Sequence, residues 1–313
     1  MKTLHLNNTI KKQFNRLTFE NKAINEKILY FGLLRLLRFY EEANDKQKSD
    51  GLNWYKNEHK NVVKLKNNFN TYVKKYKQNK FRLTTENVCE IVSILSPLLR
   101  WDLNIQYAEK VLTFYKTECL GKVFKPFLNL ELKMLEGNYL KALSTLESLE
   151  HNEIKTFAYK PKQFVNDVWN GQYLDIKHTK PFINEQTAFK TYNFKNNLLF
   201  ANVENDFVTI DSHMTNAFFN TDGQTTTNEK GKVLQYENTD GHIIKYTWLN
   251  PSSKYQYNDI KKVIQLGAKL TNNKSDQFQA IVWNVVSNRL IHTDKVKTNV
   301  NPINNKQILK VAI

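Results

Sequence analysis

Apolar positions recur along most of this chain at the three-to-four-residue spacing of helices buried on one face. In residues 25–43 the stripe is Ile28, Phe31, Leu34 and Leu37, widened by Leu33 and Leu36. Asp50-Gly51 predicts a break, after which residues 54–76 resume the period with Val62, Leu65, Phe69, Tyr72 and Tyr76 set among lysines. That is a helix with one basic face, and Trp54 and Tyr55 at its start are expected to be buried packing residues. Thr84 or Thr85 caps the next helix, because a hydroxyl there accepts from an orphaned N–H of the first turn, and residues 88–95 form its buried body. Pro97 ends it. Residues 101–115, 258–270 and 275–289 repeat the helical period. Residues 225–250 instead alternate around Thr239-Asp240-Gly241, which predicts a β-hairpin of 232–236 with 242–248. The expected class is mainly α with this small β-hairpin insertion. Residues 1–313 read as a single two-lobed domain, with 151–182, punctuated by Pro161 and Gly171, as an irregular insertion. Residues 128–149 resemble one unit of a helical repeat. No second copy follows at a fixed period, which excludes a solenoid and leaves a protein-interaction module as the reading of that stretch.

Charge changes the picture. Lys and Arg number 46 against 30 Asp and Glu, a formal net charge of +16. The excess is uneven: residues 51–100 carry 10 basic and 3 acidic side chains, whereas residues 201–250 carry 3 and 7. A cationic face of this kind attracts polyanions and releases their counterions, so DNA is the expected partner. The competing reading is a solvated surface rich in Lys and Asn. The longest apolar stretch, 28–37, contains Arg35, so no membrane span is expected. Residues 1–12 lack the apolar core of a secretory signal, and a cytoplasmic location is the expectation. Two cysteines, Cys89 and Cys119, cannot supply a four-ligand zinc or iron–sulfur site, and the seven histidines are scattered. No metal and no cofactor is expected.

Three segments carry more than core chemistry. Residues 96–104 join two helices and hold Leu99, Arg100, Trp101 and Asn104; residues 189–194 hold Lys190; and residues 208–214 run from an apolar approach into Asp211 at a helix start, followed by His213. Leu95-Ser96 with Trp101 and Asn104, then Lys190-Thr191 with Asn193, then Val208 through Met214, resemble in order and spacing the helix-hairpin-helix DNA glycosylases of the endonuclease III type. In that superfamily a loop "LSAQ…D…VN" follows an apolar helix, a lysine lies in "GxGxKTA", and an aspartate in "VDTH" follows about twenty residues later; here Lys190 and Asp211 are 21 positions apart. The chain departs from the pattern at Asn184-Glu185-Gln186-Thr187-Ala188-Phe189, which has no glycine to let backbone N–H groups approach a phosphate closely. It is also similar to phage-encoded proteins of no established function that share "NWY", "LSP…W…N", "VTID.HM" and "QAIVW", found here at 53–55, 95–104, 208–214 and 279–283.

The resemblance implies a two-lobed helix-hairpin-helix fold and base-excision chemistry on a nucleotide flipped out of damaged or modified duplex DNA. Such an enzyme needs a wedge to fill the gap and cations to hold the bent backbone. Leu99, Arg100 and Trp101 are the wedge candidates, Asn104 a further DNA contact, and Lys74, Lys75 and Lys77 the backbone contacts. Asp211 would stabilise oxocarbenium character or activate water, and Lys190 would be the nucleophile of an abasic-site lyase step. Each residue also has an ordinary reading: Asp211 as an N-cap, Lys190 as a surface lysine, Trp101 as core, His213 as a structural helix-start residue. The alternative to an enzyme is a non-catalytic phage nucleic-acid-binding or virion-associated protein on the same scaffold.

Overall fold

The computed structural model describes residues 2–20, 24–76, 82–96, 101–117, 142, 185, 188–220, 225–227, 233–238, 242–245, 248 and 253–300. They are mainly helical: α1 (Lys2–Phe14), α2 (Glu26–Glu42), α3 (Asp45–Tyr76), α4 (Thr85–Leu95), α5 (Trp101–Thr117), α6 (Phe189–Leu199), α7 (Ser212–Phe219), α8 (Lys254–Leu270) and α9 (Ser275–Val300). One small sheet holds β1 (Thr225–Thr227), β2 (Val233–Glu237) and β3 (Ile243–Lys245). The chain divides into two compact units, Met1–Asn57 with Phe200–Ile313, and Glu58–Leu199. None of the described helices is long and apolar enough to cross a membrane. The expected insertion at 151–182 and the stretch 128–149, apart from Ala142, lie outside the described residues.

In the first unit α2 lies against α7, α8 and α9, and α9 against α7 and α8. Its core joins Leu29, Leu33 and Leu36 of α2 to Phe218 of α7, Ile260, Val263 and Ile264 of α8, and Phe278, Ile281 and Val282 of α9, all buried. Asn25 starts α2 by accepting the Lys27 N–H at 2.8 Å. Gly51 does not interrupt the chain as its sequence context predicts, since α3 runs straight through it. A Cβ at Gly51 would lie 2.5 Å from Ile281 Cγ1 and 2.7 Å from the Ile281 backbone N and Cα. The glycine is there to let α3 and α9 touch, and the helix-propensity cost of about 1 kcal/mol is the cost of that approach. Beside it Tyr55 is buried as expected, whereas Trp54 is only half-buried, edge-on to the Tyr55 ring at 4.6 Å.

The sheet is antiparallel throughout, in the order β1-β2-β3. Gln235 faces Lys245, and Tyr236 faces Ile244, which is the hairpin the alternation predicts, with β1 added beyond it. The turn at 239–241 lies outside the described residues. Ile244 is buried between the exposed Ile243 and Lys245, the period-two pattern of a strand with one covered face.

In the second unit α4 lies against α5 and α6. Thr84 is the residue that caps α4: its side chain accepts from the Asn87 N–H at 3.1 Å while the Asn87 side chain reaches back to the Thr84 N–H at 2.9 Å. Val88, Cys89, Ile91, Val92 and Leu95 are buried, as are Tyr107, Ala108 and Val111 of α5. Asn70 of α3 holds the chain entering α4 by bonding both the N–H and the C=O of Leu83, at 2.9 and 2.8 Å.

Candidate functional site

Three of the motifs singled out in the sequence meet inside the first unit. Residues 208–210 run extended and buried, and their backbone is clamped from one side by Tyr257, whose hydroxyl donates to Val208 O at 2.7 Å and accepts from Ile210 N at 3.0 Å. Burial pushes the Tyr257 phenol up from its ordinary pKa, so it stays protonated and able to donate. From another side the Tyr55 hydroxyl, 3.2 Å from Thr209 Oγ1, donates to Gln279 Oε1 at 2.8 Å. The extended segment therefore delivers Asp211 to a fixed position.

Asp211 is the N-cap of α7. Its Oδ1 accepts the Met214 N–H at 2.9 Å and its Oδ2 accepts the Trp283 indole N–H at 3.0 Å. The His213 ring stands edge-on to Trp283 at 5.8 Å, with its Nδ1 buried and unpartnered among the described residues. The carboxylate is half-buried, held in direction by two donors, and sits at the positive end of a helix. Such a group can face a developing cation or take a proton from water without first being reoriented. The other end of α7 is equally determined. Arg35 donates from Nε and Nη2 to Phe218 O at 2.8 and 2.5 Å, Asn238 donates to Phe219 O at 2.9 Å, and Asn220, left-handed at φ 52°, returns its N–H to Asn216 O.

The remaining predicted residues belong to the second unit or lie outside the described residues. Lys190, in the first turn of α6, is half-buried. Trp101 opens α5, half-buried; its indole N–H donates to Glu58 Oε2 and its ring meets Phe194 edge-on at 6.0 Å. That is the setting of a packing residue. Asn104 is 1 % exposed, which leaves it no surface on which to meet DNA. Leu99, Arg100 and Lys77 lie outside the described residues, and Lys74 and Lys75 fall in the last turn of α3 with side chains that also lie outside them.

The exposed side chains of α3 between Glu58 and Thr71 are Lys60, Asn61, Lys64, Asn67, Asn68 and Thr71. No carboxylate is among them. Glu58, the acid of this stretch, is engaged by Trp101 and by Asn61 Nδ2 at 2.6 Å, and burial raises its pKa against those two hydrogen bonds. Lysines four residues apart stand about 6 Å apart along a helix, so Lys60 and Lys64 rise from neighbouring turns of the same face. Elsewhere in this unit Lys195 pairs with Glu86 at 2.8 Å and Glu90 at 3.6 Å. Burial alone would lower the Lys195 pKa, but the two carboxylates outweigh it and hold the ammonium above its ordinary value. Burial raises Glu90 in spite of that lysine, and pushes the Cys89 thiol up to about 12, so Cys89 is an inert core residue. Among the described residues no group of three His, Cys, Asp or Glu side chains is arranged to hold a metal ion.

Sequence reading gave no role to Trp283, Tyr257 or Arg35. Their partners are 72, 47 to 49 and 183 residues away, and no local spacing announces such pairs. No curated protein and no solved structure matches the chain. One family model matches, over residues 32–242, described as a family of unknown function (DUF7178).

Proposed function

Because the chain belongs to the DUF7178 family, whose function is unknown, its activity has to be argued from its own residues, and we propose that it binds DNA and performs base excision on a flipped nucleotide. The proposal includes the finer architecture, a two-lobed helix-hairpin-helix glycosylase scaffold, and a site of action in the cytoplasm. The observation that carries it is the acid-free Lys and Asn face of α3 on a chain of net charge +16, a surface suited to a phosphate backbone rather than to base edges. The placement of Asp211 supports the chemistry. In that chemistry the N-glycosidic bond breaks with its electron pair leaving on the base, and the carboxylate stabilises the sugar cation while water adds at C1′ and gives up a proton, which neutralises the departing base. Lys190 is the proposed amine of a lyase step.

The test has two readouts. Retention of a duplex is titrated against salt, with log affinity expected to fall at about −0.9 per phosphate contact and Lys60→Glu with Lys64→Glu expected to reduce that slope. Duplexes carrying uracil, oxidised, alkylated or mismatched bases are then incubated with the protein and treated with alkali to reveal strand breaks. Breaks made by the wild type and lost in Asp211→Asn support the enzyme, and borohydride trapping lost in Lys190→Ala identifies the lyase amine. A flat salt response removes nucleic acid as the partner. A second reading, a non-catalytic nucleic-acid-binding protein on the same scaffold, is favoured by one observation: both Asp211 oxygens already have protein donors, so capping alone accounts for the residue. Salt-dependent binding with no strand breaks on any duplex selects it.

A further inference from the structure

Away from Asp211, the first unit gathers cations around a cleft. The chain leaving α1 crosses over α8, where the Glu20 N–H donates to Asp259 Oδ1 at 2.9 Å and Lys262 Nζ donates to Thr18 O at 2.8 Å and to Glu20 Oε1 at 2.9 Å. Beside this crossing opens a cleft of about 370 Å³, with Gln13, Arg16 and Leu17 on one wall and Lys262, Gln265 and Lys269 on the other. Leu266, buried, forms its floor. Its volume lies within the range of small-ligand sites.

The charge balance in this cleft does not close. Glu20 is taken by Lys262, which holds the carboxyl below its ordinary pKa. Among the described residues neither the Arg16 guanidinium nor the Lys269 ammonium pairs with a carboxylate. Lys269, in the last turn of α8, is accounted for by the negative end of its helix. Arg16, two residues past the last of α1 and on the turn that closes it, stands at the negative end of that helix in the same way. Two cations without a carboxylate partner and two amides around an apolar floor match an anion that carries an apolar body.

We propose that this cleft binds a phosphate ester of a nucleoside, with Arg16 and Lys269 on the phosphate and the Leu17 and Leu266 surface under the base or sugar. A free nucleotide and a phosphodiester of a nucleic-acid strand offer the same chemistry. The site does not depend on the chemistry proposed for Asp211.

The full chain is titrated by fluorescence with inorganic phosphate, adenosine monophosphate and a labelled duplex, as wild type and as Arg16→Glu and Lys269→Glu. Both positions are exposed, and an unchanged melting temperature confirms that each variant folds; Lys262 is left intact because it anchors the chain crossing. Each reversal is expected to weaken phosphate-ester binding about tenfold, the loss of one charge-assisted contact. Weaker adenosine monophosphate binding assigns the cleft to free nucleotides, and weakening confined to the duplex assigns it to a strand phosphate. Affinities that do not change on either reversal overturn the proposal, and if the duplex is still bound the DNA-binding reading stands. Mononucleotide binding that is lost on reversal, with no salt-dependent duplex retention, keeps the cleft and removes that reading instead.

Discussion

Asparagine at position 211 would separate the two bonds that the aspartate makes. The amide keeps one acceptor oxygen, which stays with the Met214 N–H because Asn caps helices as well as Asp does. Its other terminal atom becomes an NH2 group facing the Trp283 indole N–H across 3.0 Å, donor against donor. A hydrogen bond to a charged group contributes about 1.5–3 kcal/mol when buried. Asp211 is half-buried, so Asp211→Asn should cost about 1.5 kcal/mol, near the lower end. Trp283→Phe removes the donor and also part of the ring that meets His213. In the double variant the amide no longer opposes a donor, and the two losses should fall short of additivity by about 1 kcal/mol. Urea unfolding of the four proteins, compared by midpoint at constant slope, measures the coupling. Additivity within about 0.3 kcal/mol would refute the Asp211–Trp283 bond. The cycle also guards the catalytic test, because loss of base release in Asp211→Asn counts as chemistry only if Trp283→Phe, with its carboxylate intact, still releases the base.

Gly51→Ala should destabilise the protein by about 1–3 kcal/mol through overpacking against the Ile281 backbone, despite alanine's better helix propensity; a raised melting temperature would contradict the close approach of α3 and α9. Tyr257→Phe removes hydrogen bonds to both Val208 O and Ile210 N in a fully buried setting, and should cost about 2–4 kcal/mol; a change under about 0.5 kcal/mol, the usual range for surface positions, would show that the hydroxyl does not hold the approach to Asp211. Glu58 holds its proton more tightly in the folded state, so its contribution to stability falls as pH rises from the ordinary carboxylate range through the raised folded value. Glu58→Gln keeps an acceptor for Trp101 and Asn61 and should flatten the stability profile on the side above 4.5, the ordinary carboxyl value; denaturant midpoints measured upward from there decide it, and a profile as steep as wild type would assign the slope to other groups.

What the sequence disclosed and what it withheld follow from the range of each interaction. The faces of α2 and α4, the Thr84 cap, the strands around Thr239-Asp240-Gly241 and the position of Asp211 at a helix start all rest on residues within a few positions of one another, where spacing is geometry. Gly51 was misleading for the same reason: a glycine within a helical pattern reads as a break unless one knows that Ile281 crosses above it. Asn104 fits the spacing of a loop contact, yet the face of α5 that carries it is turned inward. The pairs Asp211–Trp283, Arg35–Phe218 and Arg16 with Lys269 join segments 72 or more residues apart, and only the folded chain brings them together.

The eight residues of α7 make little more than two turns, too few to persist alone in water. What keeps them helical comes from elsewhere in the chain: Trp283 of α9 at one end through Asp211, Arg35 of α2 and Asn238 beside the sheet at the other. Local fraying of this helix is therefore not available as a separate event. The amides of its second turn should exchange with deuterated solvent only in the larger openings that detach α2 and α9, and at the same free energy as theirs, so this two-turn helix becomes a reporter of the unit's cooperative unfolding.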